Sequence, residues 1–349
     1  MRCIPVHQAI GHVLAYDVTR VAPGMNKGPA FKKGCVIKEQ DIETFLDMGK
    51  AHIDGLKSFS NQIHEDAAAG RIAAAAAGPG LKLAAPSEGC VNLISEYSGL
   101  FKVNVSALTQ LNAIQNVVLA TLHGNHRVEA GQPVAGIRVI PLVISENLVA
   151  KAERLCQSHH PLITIKPFKS LRVGMIITGS DIFLGRIKDQ FGPVVRRTIE
   201  TLGSRILHQI YVPDDVDKMV AGIRSLIEEG AQMVVLTGGM SVGPDDRATA
   251  GIRSAGAKVI SYGASTFLGA MFMLAYIDDV PVLGFPGSVM YHHTSIFDLV
   301  VPRLLSGERL LNTDIAGSGH DGFCAGSKDA AIRWVDSAKC DGFDGLKDF

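Results

Sequence analysis

The run Met233-Val-Val-Leu-Thr-Gly-Gly-Met-Ser-Val-Gly-Pro-Asp-Asp246 limits the folds open to this chain more than any other stretch. An apolar segment with the continuity of a strand buried on both faces stops abruptly at Gly238-Gly239. Ser241, Gly243 and the acid pair Asp245-Asp246 follow, and a helix-like segment begins after them. A strand that ends in glycines and hands over to a helix is the ligand-binding junction of an open α/β sheet. Glycines let the backbone approach a phosphate closely, and helix N-termini favour anions. Carboxylates in such a place repel a bare phosphate, so they point to a bridging Mg²⁺ or to a polar ring that needs hydrogen-bond acceptors. No Gly-Lys-Ser/Thr follows, which excludes a P-loop, and the glycine spacing is not that of a dinucleotide fingerprint. The plain alternative is a tight turn capped by Asp245 or Asp246.

The surrounding pattern alternates strand and helix from about Leu171. Strands are predicted at Arg172–Thr178, Ile206–Val212, Met233–Leu236, Lys258–Ser261 and Pro281–Phe285. Between them, Val194, Val195, Ile199 and Leu202 recur at helical spacing, as do Val216, Met219, Val220, Ile223, Leu226 and Ile227. Tyr291–Leu305 reads as a closing helix. Units of this length predict an α/β fold with a three-layer, mostly parallel sheet. Two more loops then fall on the same sheet edge as Gly238–Asp246. Thr178-Gly179-Ser180-Asp181 ends the first strand and leads to Lys188 and Asp189, and Phe285-Pro286-Gly287-Ser288 ends the last. Asp214-Asp215 follows Val212-Pro213 at a further strand end. Helix capping is its first reading, with metal binding if it faces the Asp245-Asp246 loop.

The first 150 residues read as a smaller mixed α+β region, with strand-like runs between Leu100 and Ser145 and an Ala-rich helix from Ala67 to Ala77. Residues 151–169 are expected to be a linker, residues 170–311 the α/β domain, and residues 312–349 a mobile tail. Lys+Arg and Asp+Glu both number 34, so the formal charge is zero. Nucleic-acid and membrane-surface binders need a basic excess, so neither partner is expected. The most apolar stretch, Phe267–Ile277, is about half the length of a membrane span. The six cysteines form no CxxC pair, which fits a reducing cytoplasm rather than a disulfide framework or a zinc knuckle.

Together these residues resemble the molybdenum cofactor biosynthesis superfamily. Its shared domain carries Thr/Ser-Gly-Gly-x-Ser/Thr-x-Gly followed by Asp, here Thr237 to Asp246. The molybdopterin molybdenumtransferase has Thr-Gly-Asp-Glu where this chain has Thr178-Gly179-Ser180-Asp181, and Pro-Gly-Asn-Pro where it has Pro286-Gly287-Ser288-Val289. The runs Ala9–Val18 and Gly28–Gly34 are similar to the start of that transferase, while its C-terminal β domain is not expected after Leu311. The resemblance implies binding of molybdopterin, its adenylylated form or the molybdenum cofactor, by a cytoplasmic homo-oligomer, dimer or trimer. It implies ligand contacts at Thr178, Gly179, Ser180, Lys188, Asp189, Thr237, Gly238, Gly239, Ser241, Gly243, Pro286, Gly287 and Ser288. Catalytic roles fall to Asp181, Asp245 and Asp246, and Mg²⁺ to Asp181, Asp215 and Asp246. A Mg²⁺-dependent molybdenum- or adenylyl-transferase acting with molybdate is the first expectation. A non-catalytic cofactor carrier or sensor, and a nucleotide pyrophosphatase on the same fold, are the alternatives.

Overall fold

The computed structural model describes residues 2–14, 16–19, 29–31, 35–56, 61–140, 142–240, 247–266, 269–287 and 296–320. Three packed units follow one another along the chain. The first holds β1 (Arg2–Pro5), β2 (Val13–Leu14), β3 (Val18–Thr19), β4 (Pro29–Phe31), α1 (Asp41–Asp47) and β5 (His52–Leu56). β5 pairs antiparallel with both β1 and β2. Phe45 of α1 is fully buried among Val6, Leu14 and Ile53, and its ring stacks on Phe31 at 4.2 Å.

The second unit contains β6 (Gln62–His64), α2 (Glu65–Ala76), β7 (Leu81–Leu83), β8 (Cys90–Ser95), β9 (Gly99–Val103), α3 (Val105–Asn112), β10 (Val117–Thr121) and β11 (Arg127–Val128). It continues with β12 (Pro133–Val139), β13 (Val143–Ser145), α4 (Glu146–Ser158) and β14 (Ile163–Pro167). An antiparallel sheet β10-β12-β8-β7 lies beside a smaller one, β11-β9-β14. The Ala-rich expectation becomes α2, whose buried Ala68, Ala69, Ala73 and Ala76 let α4 approach closely. Arg71 spans the two helices, reaching Glu153 at 2.6 Å and Glu146 at 2.7 Å. Residues 151–169 are therefore not a linker. Val149, Ala152 and Cys156 of α4 are buried at helical spacing, and β14 pairs with β9 inside the same core.

The third unit is an α/β domain. Its strands are β15 (Arg172–Thr178), β16 (Arg205–Val212), β17 (Met233–Thr237), β18 (Lys258–Tyr262), β19 (Met273–Ile277) and β20 (Val280–Phe285). Its helices are α5 (Ser180–Phe183), α6 (Phe191–Thr201), α7 (Val216–Glu228), α8 (Ala248–Ser254), α9 (Ile296–Leu305) and α10 (Asn312–Gly317). The strand order is β16-β15-β17-β20-β19-β18. β17 is buried along its whole length because helices cover both faces. Val173, Met175 and Ile177 of β15 join α6, α9 and α10 in one core, and Ile176 joins α7 and α8 in the other.

The sheet is mixed rather than mostly parallel. β16, β15, β17 and β20 run parallel, but β19 is antiparallel to both of its neighbours. The cause is a two-residue hairpin, Asp278-Asp279, between Ile277 and Val280, with Asp278 at a φ of 51°. The start of the expected tail is also ordered. α10 packs against the domain through Ile315, and residues 321–349 lie outside the described part of the chain.

An ionic hub ties the second unit to the third. Glu308, after α9, receives Lys102 Nζ of β9 at 2.7 Å, Lys166 Nζ of β14 at 3.2 Å and Arg303 Nε at 2.8 Å. Arg303 also reaches Asp314 of α10 at 2.6 Å. Burial by itself would raise the Glu308 carboxyl, but Lys102 and Arg303 outweigh it and hold the group down at about 2.

Candidate functional site

Parallel register brings the strand ends together. Thr178 pairs with Val212, Ile177 with Thr237, and Thr237 with Phe285, so four loops leave one edge of the sheet side by side. Gly238 and Gly239 have φ of 88° and 57°, the left-handed conformation that glycine adopts without strain. A Cβ on Gly238 would lie 2.3 Å from the Thr178 carbonyl oxygen, so the turn after β17 is pressed against the end of β15. The Gly239 carbonyl then accepts from Ala248 N at the start of α8, at 3.2 Å.

Two hydroxyls stand out beneath this turn. Thr178 and Thr237 are buried, at 2% and 1% exposure, yet neither Oγ1 has a hydrogen-bond partner among the described residues. A buried polar group left unsatisfied costs about 1–3 kcal/mol. Two of them at adjacent strand ends, under a glycine turn, form a pair of donors and acceptors poised for a ligand or an ordered water.

The acids at this edge are bound up individually. Asp214 Oδ2 accepts from Ser180 N at 2.8 Å and from Ser180 Oγ at 3.0 Å, which locks the loop after β16 to the loop after β15. Asp215 is the N-cap of α7 and accepts from Lys218 N at 3.0 Å. Asp181 Oδ1 meets Arg186 at 3.3 Å across an exposed rim. Asp189 uses both oxygens: Oδ1 accepts from Phe191 N and Gly192 N at the start of α6, and Oδ2 accepts from Gln209 Nε2 and Tyr211 Oη. The Tyr211 phenol is held above its ordinary value, first by loss of hydration and then by the adjacent Asp189 charge. A Cβ on Gly287 would lie 3.8 Å from the Phe191 ring, which places the Pro286-Gly287 turn against the start of α6.

Of the residues expected from the sequence, Thr178, Gly179, Ser180, Thr237, Gly238, Gly239, Pro286 and Gly287 therefore lie on strand ends or in the turns beside them. Lys188 is exposed, and Asp189 accepts from the first two backbone N–H groups of α6. Ser241, Gly243, Asp245, Asp246 and Ser288 lie outside the described residues. Of the pair Asp214-Asp215, the structure makes Asp215 the helix cap and Asp214 the residue that joins the two loops. The signal was present, because Asp215 directly precedes Val216 and a residue in that place caps the helix, which leaves its neighbour for the loop.

Of the three acids expected to hold Mg²⁺, Asp181 and Asp215 are among the described residues and Asp246 is not. The ion demands near-octahedral oxygen geometry and takes one or two carboxylates together with ligand phosphate. Asp181 and Asp215 are each engaged elsewhere, by Arg186 and by the α7 backbone. No group of three or more His, Cys, Asp or Glu placed to hold a metal occurs among the described residues. Among those residues, too, no helix is long and apolar enough to cross a membrane.

Residues 174–306 match the family model described as "Probable molybdopterin binding domain", and residues 3–54 match a domain of unknown function, DUF8806. A CinA-like protein of Mycobacterium tuberculosis is 31% identical over 77 residues, which are 22% of this chain and 18% of that protein. The chain thus spans about a fifth of the length of that curated relative. Two solved structures are similar in part. The molybdopterin biosynthesis enzyme MoaB of Thermus thermophilus is 16% identical, covers 40% of this chain and 98% of its own, and has a TM-score of 0.32. The tungsten cofactor synthesizing protein MoaB of Pyrococcus furiosus is 20% identical, covers 41% and 99%, and has a TM-score of 0.34. Residues 174–306 are thus a domain of the molybdopterin-binding family, within the molybdenum cofactor biosynthesis superfamily.

Proposed function

We propose that the sheet edge at Thr178, Asp214, Thr237 and Gly238-Gly239 binds molybdopterin or its adenylylated form in molybdenum cofactor biosynthesis. The observation that carries this reading is the pair of buried, unpartnered hydroxyls at Thr178 and Thr237 beneath the double-glycine turn. A phosphate approaching Gly238-Gly239 supplies the acceptors that these hydroxyls lack. A pterin ring supplies donors for a carboxylate such as Asp214. Lys188 and Arg186, on the exposed rim, add positive charge for a phosphate or for molybdate. On this reading the protein transfers molybdenum to the bound pterin with loss of AMP, and Asp245 and Asp246 complete the site. It works in the cytoplasm as a homo-oligomer, in keeping with its described cysteines, all of which are free thiols.

Single-turnover incubation with adenylylated molybdopterin and molybdate tests the reading, with bound pterin and released AMP followed together. Molybdate-dependent AMP release that disappears in Asp246→Ala makes the protein a transferase. Bound pterin without AMP makes it a carrier or sensor. If pterin does not bind at all, the reading is wrong. A second reading is hydrolysis of a nucleotide pyrophosphate on the same fold, for which AMP release from ADP-ribose is the assay.

A further inference from the structure

The loop after β15, residues 179–190, is fastened at both ends. Ser180 ties its start to Asp214, in the loop after β16. Asp189 ties its end to β16 itself and to the start of α6. Asp189 Oδ1 accepts from Phe191 N at 2.8 Å and from Gly192 N at 2.9 Å. Asp189 Oδ2 accepts from Gln209 Nε2 at 3.1 Å and from Tyr211 Oη at 3.2 Å, both on β16. An ionised carboxylate has about four lone-pair sites, and these bonds occupy them. The receiving side is held as well. Gln209 Nε2 also donates to Tyr211 Oη at 2.8 Å, and Gln209 Oε1 accepts from Arg196 Nη2 of α6 at 3.0 Å. Gly192 is buried and makes room for the carboxylate, because a Cβ there would collide with Asp189 Oδ2 and lie 2.7 Å from Gln209 Nε2. Between the two fastenings run Arg186 and Lys188, both exposed, with Arg186 paired inside the loop to Asp181.

We propose that Asp189 is a positioning residue: it clamps the loop after β15 onto β16 and α6, and so holds Arg186 and Lys188 at the ligand edge without itself touching the ligand. The resemblance implied a ligand contact at Asp189, but its filled lone pairs fit a supporting role instead. Its effect on binding is indirect, through the two cations, and that part rests on the reading that the edge takes a phosphate-bearing pterin. A negative charge is favoured at the start of a helix, so the clamp suits the fold as well. An unclamped loop would have to be ordered when the ligand binds, and that ordering would weaken the affinity.

Two series on the full chain decide this. The first needs no pterin. Trypsin requires an extended segment of chain, so its rate of cutting after Arg186 and Lys188, with the fragments mapped by mass spectrometry, reads how often the loop opens. Asp189→Ala should be cut about fivefold faster than the wild type or more. Asp189→Asn keeps the acceptor for Phe191 N and Gly192 N and should stay within about twofold of the wild type. Gly192→Ala should behave like Asp189→Ala, because it evicts the carboxylate while leaving the charge in the chain. Tyr211→Phe removes one donor from an exposed position, so it serves if Asp189→Ala does not fold, and it too should be cut faster than the wild type. Cutting of these clamp variants at the wild-type rate overturns the proposal. The second series rests on the pterin reading: fluorescence titration with a pterin bearing one phosphate and with the same pterin lacking it. Asp189→Ala should weaken the phosphorylated probe about fivefold or more and leave the other within about twofold. In an Arg186→Ala/Lys188→Ala background it should have no further effect, because the cations it positions are gone. An additive loss in that background overturns the proposal. So does an Asp189→Asn that resists trypsin like the wild type yet binds as weakly as Asp189→Ala, because the charge would then act on the ligand directly. If the phosphorylated probe does not bind the wild type, the pterin reading fails and the trypsin series alone decides the clamp.

Discussion

Two places among the described residues enclose polar side chains in opposite ways. At Glu308 every charge is answered: three cations surround one carboxylate, and Arg303 is shared with Asp314. At the end of β15 and β17, Thr178 and Thr237 are buried more deeply still, yet their hydroxyls are left without partners among the described residues. The first arrangement suits a joint between two units that must keep one geometry. The second leaves free energy unrealised in the free protein, which a ligand recovers on binding. The contrast separates structural from functional polarity more sharply than burial or charge alone.

The largest expected effect falls on the satisfied side. Glu308→Gln leaves Arg303 and Lys102 facing a neutral amide, and breaking a buried pair by removing one partner costs about 3 kcal/mol. Urea unfolding should show the loss, and limited proteolysis between β14 and β15 should show the two units loosening. The pH dependence has a definite sign. The folded carboxyl is held at about 2, below its ordinary 4.5. A depressed acid contributes its stability above the unfolded value and loses it as pH falls from about 4.5 through about 2. The wild type should therefore lose stability across that window more steeply than Glu308→Gln. Equal slopes would mean that the hub does not hold Glu308 ionised.

Next comes the turn that presses the two strand ends together. Gly238→Ala forces a side chain into a left-handed conformation and sets its Cβ 2.3 Å from the Thr178 carbonyl. The backbone must move, at a cost of about 2 kcal/mol. The melting point should fall, and binding of a pterin ligand should fall with it, because the Thr178–Thr237 spacing changes. Unchanged binding in a folded Gly238→Ala would separate the turn from the site.

How much of this contrast was legible in the sequence follows from range. The junction after β17 could be read because its signals are local: a strand buried on both faces, then glycines. The same holds for β15, β16 and β20, all found within a residue or two of their predicted places. β19 was missed because Met273–Ile277 lies inside an apolar run, and its hairpin is made by Asp278-Asp279 without a glycine to announce it. That one strand makes the sheet mixed. α4 and β14 were taken for a linker because each is held mainly by distant partners, Arg71 for Glu153 and β9 for β14. The Glu308 hub was invisible for the same reason: Lys166 is 142 residues away in sequence. Asp214 and Asp215 are neighbours of the same type, and only the start of α7 tells them apart.

Asp215→Ala sharpens that last distinction. It removes a helix cap, so it should lower stability by about 1 kcal/mol without a specific effect on ligand. Asp214→Ala should do the reverse, weakening pterin binding about tenfold or more while costing the fold little beyond its bonds to Ser180. If Asp215→Ala proves to be the binding mutant, the two acids have been assigned the wrong way round.

The smallest effect on the fold is the most discriminating, because its sign is unusual. Valine has the shape of threonine without the hydroxyl. In most buried sites Thr→Val loses a hydrogen bond and destabilises. At Thr178 and Thr237 there is no such bond among the described residues, so each substitution removes an unsatisfied polar atom and should leave stability unchanged or raise it by up to about 1 kcal/mol. Ligand binding should move the opposite way, weakening by about tenfold per hydroxyl if each gains a hydrogen bond in the complex. Calorimetric melting and pterin titration on the same two variants read both signs. A more stable protein that binds less tightly identifies hydroxyls kept for the ligand at the expense of the fold. A less stable protein would show that an internal partner satisfies them, and the edge would then belong with Glu308 on the structural side of the comparison.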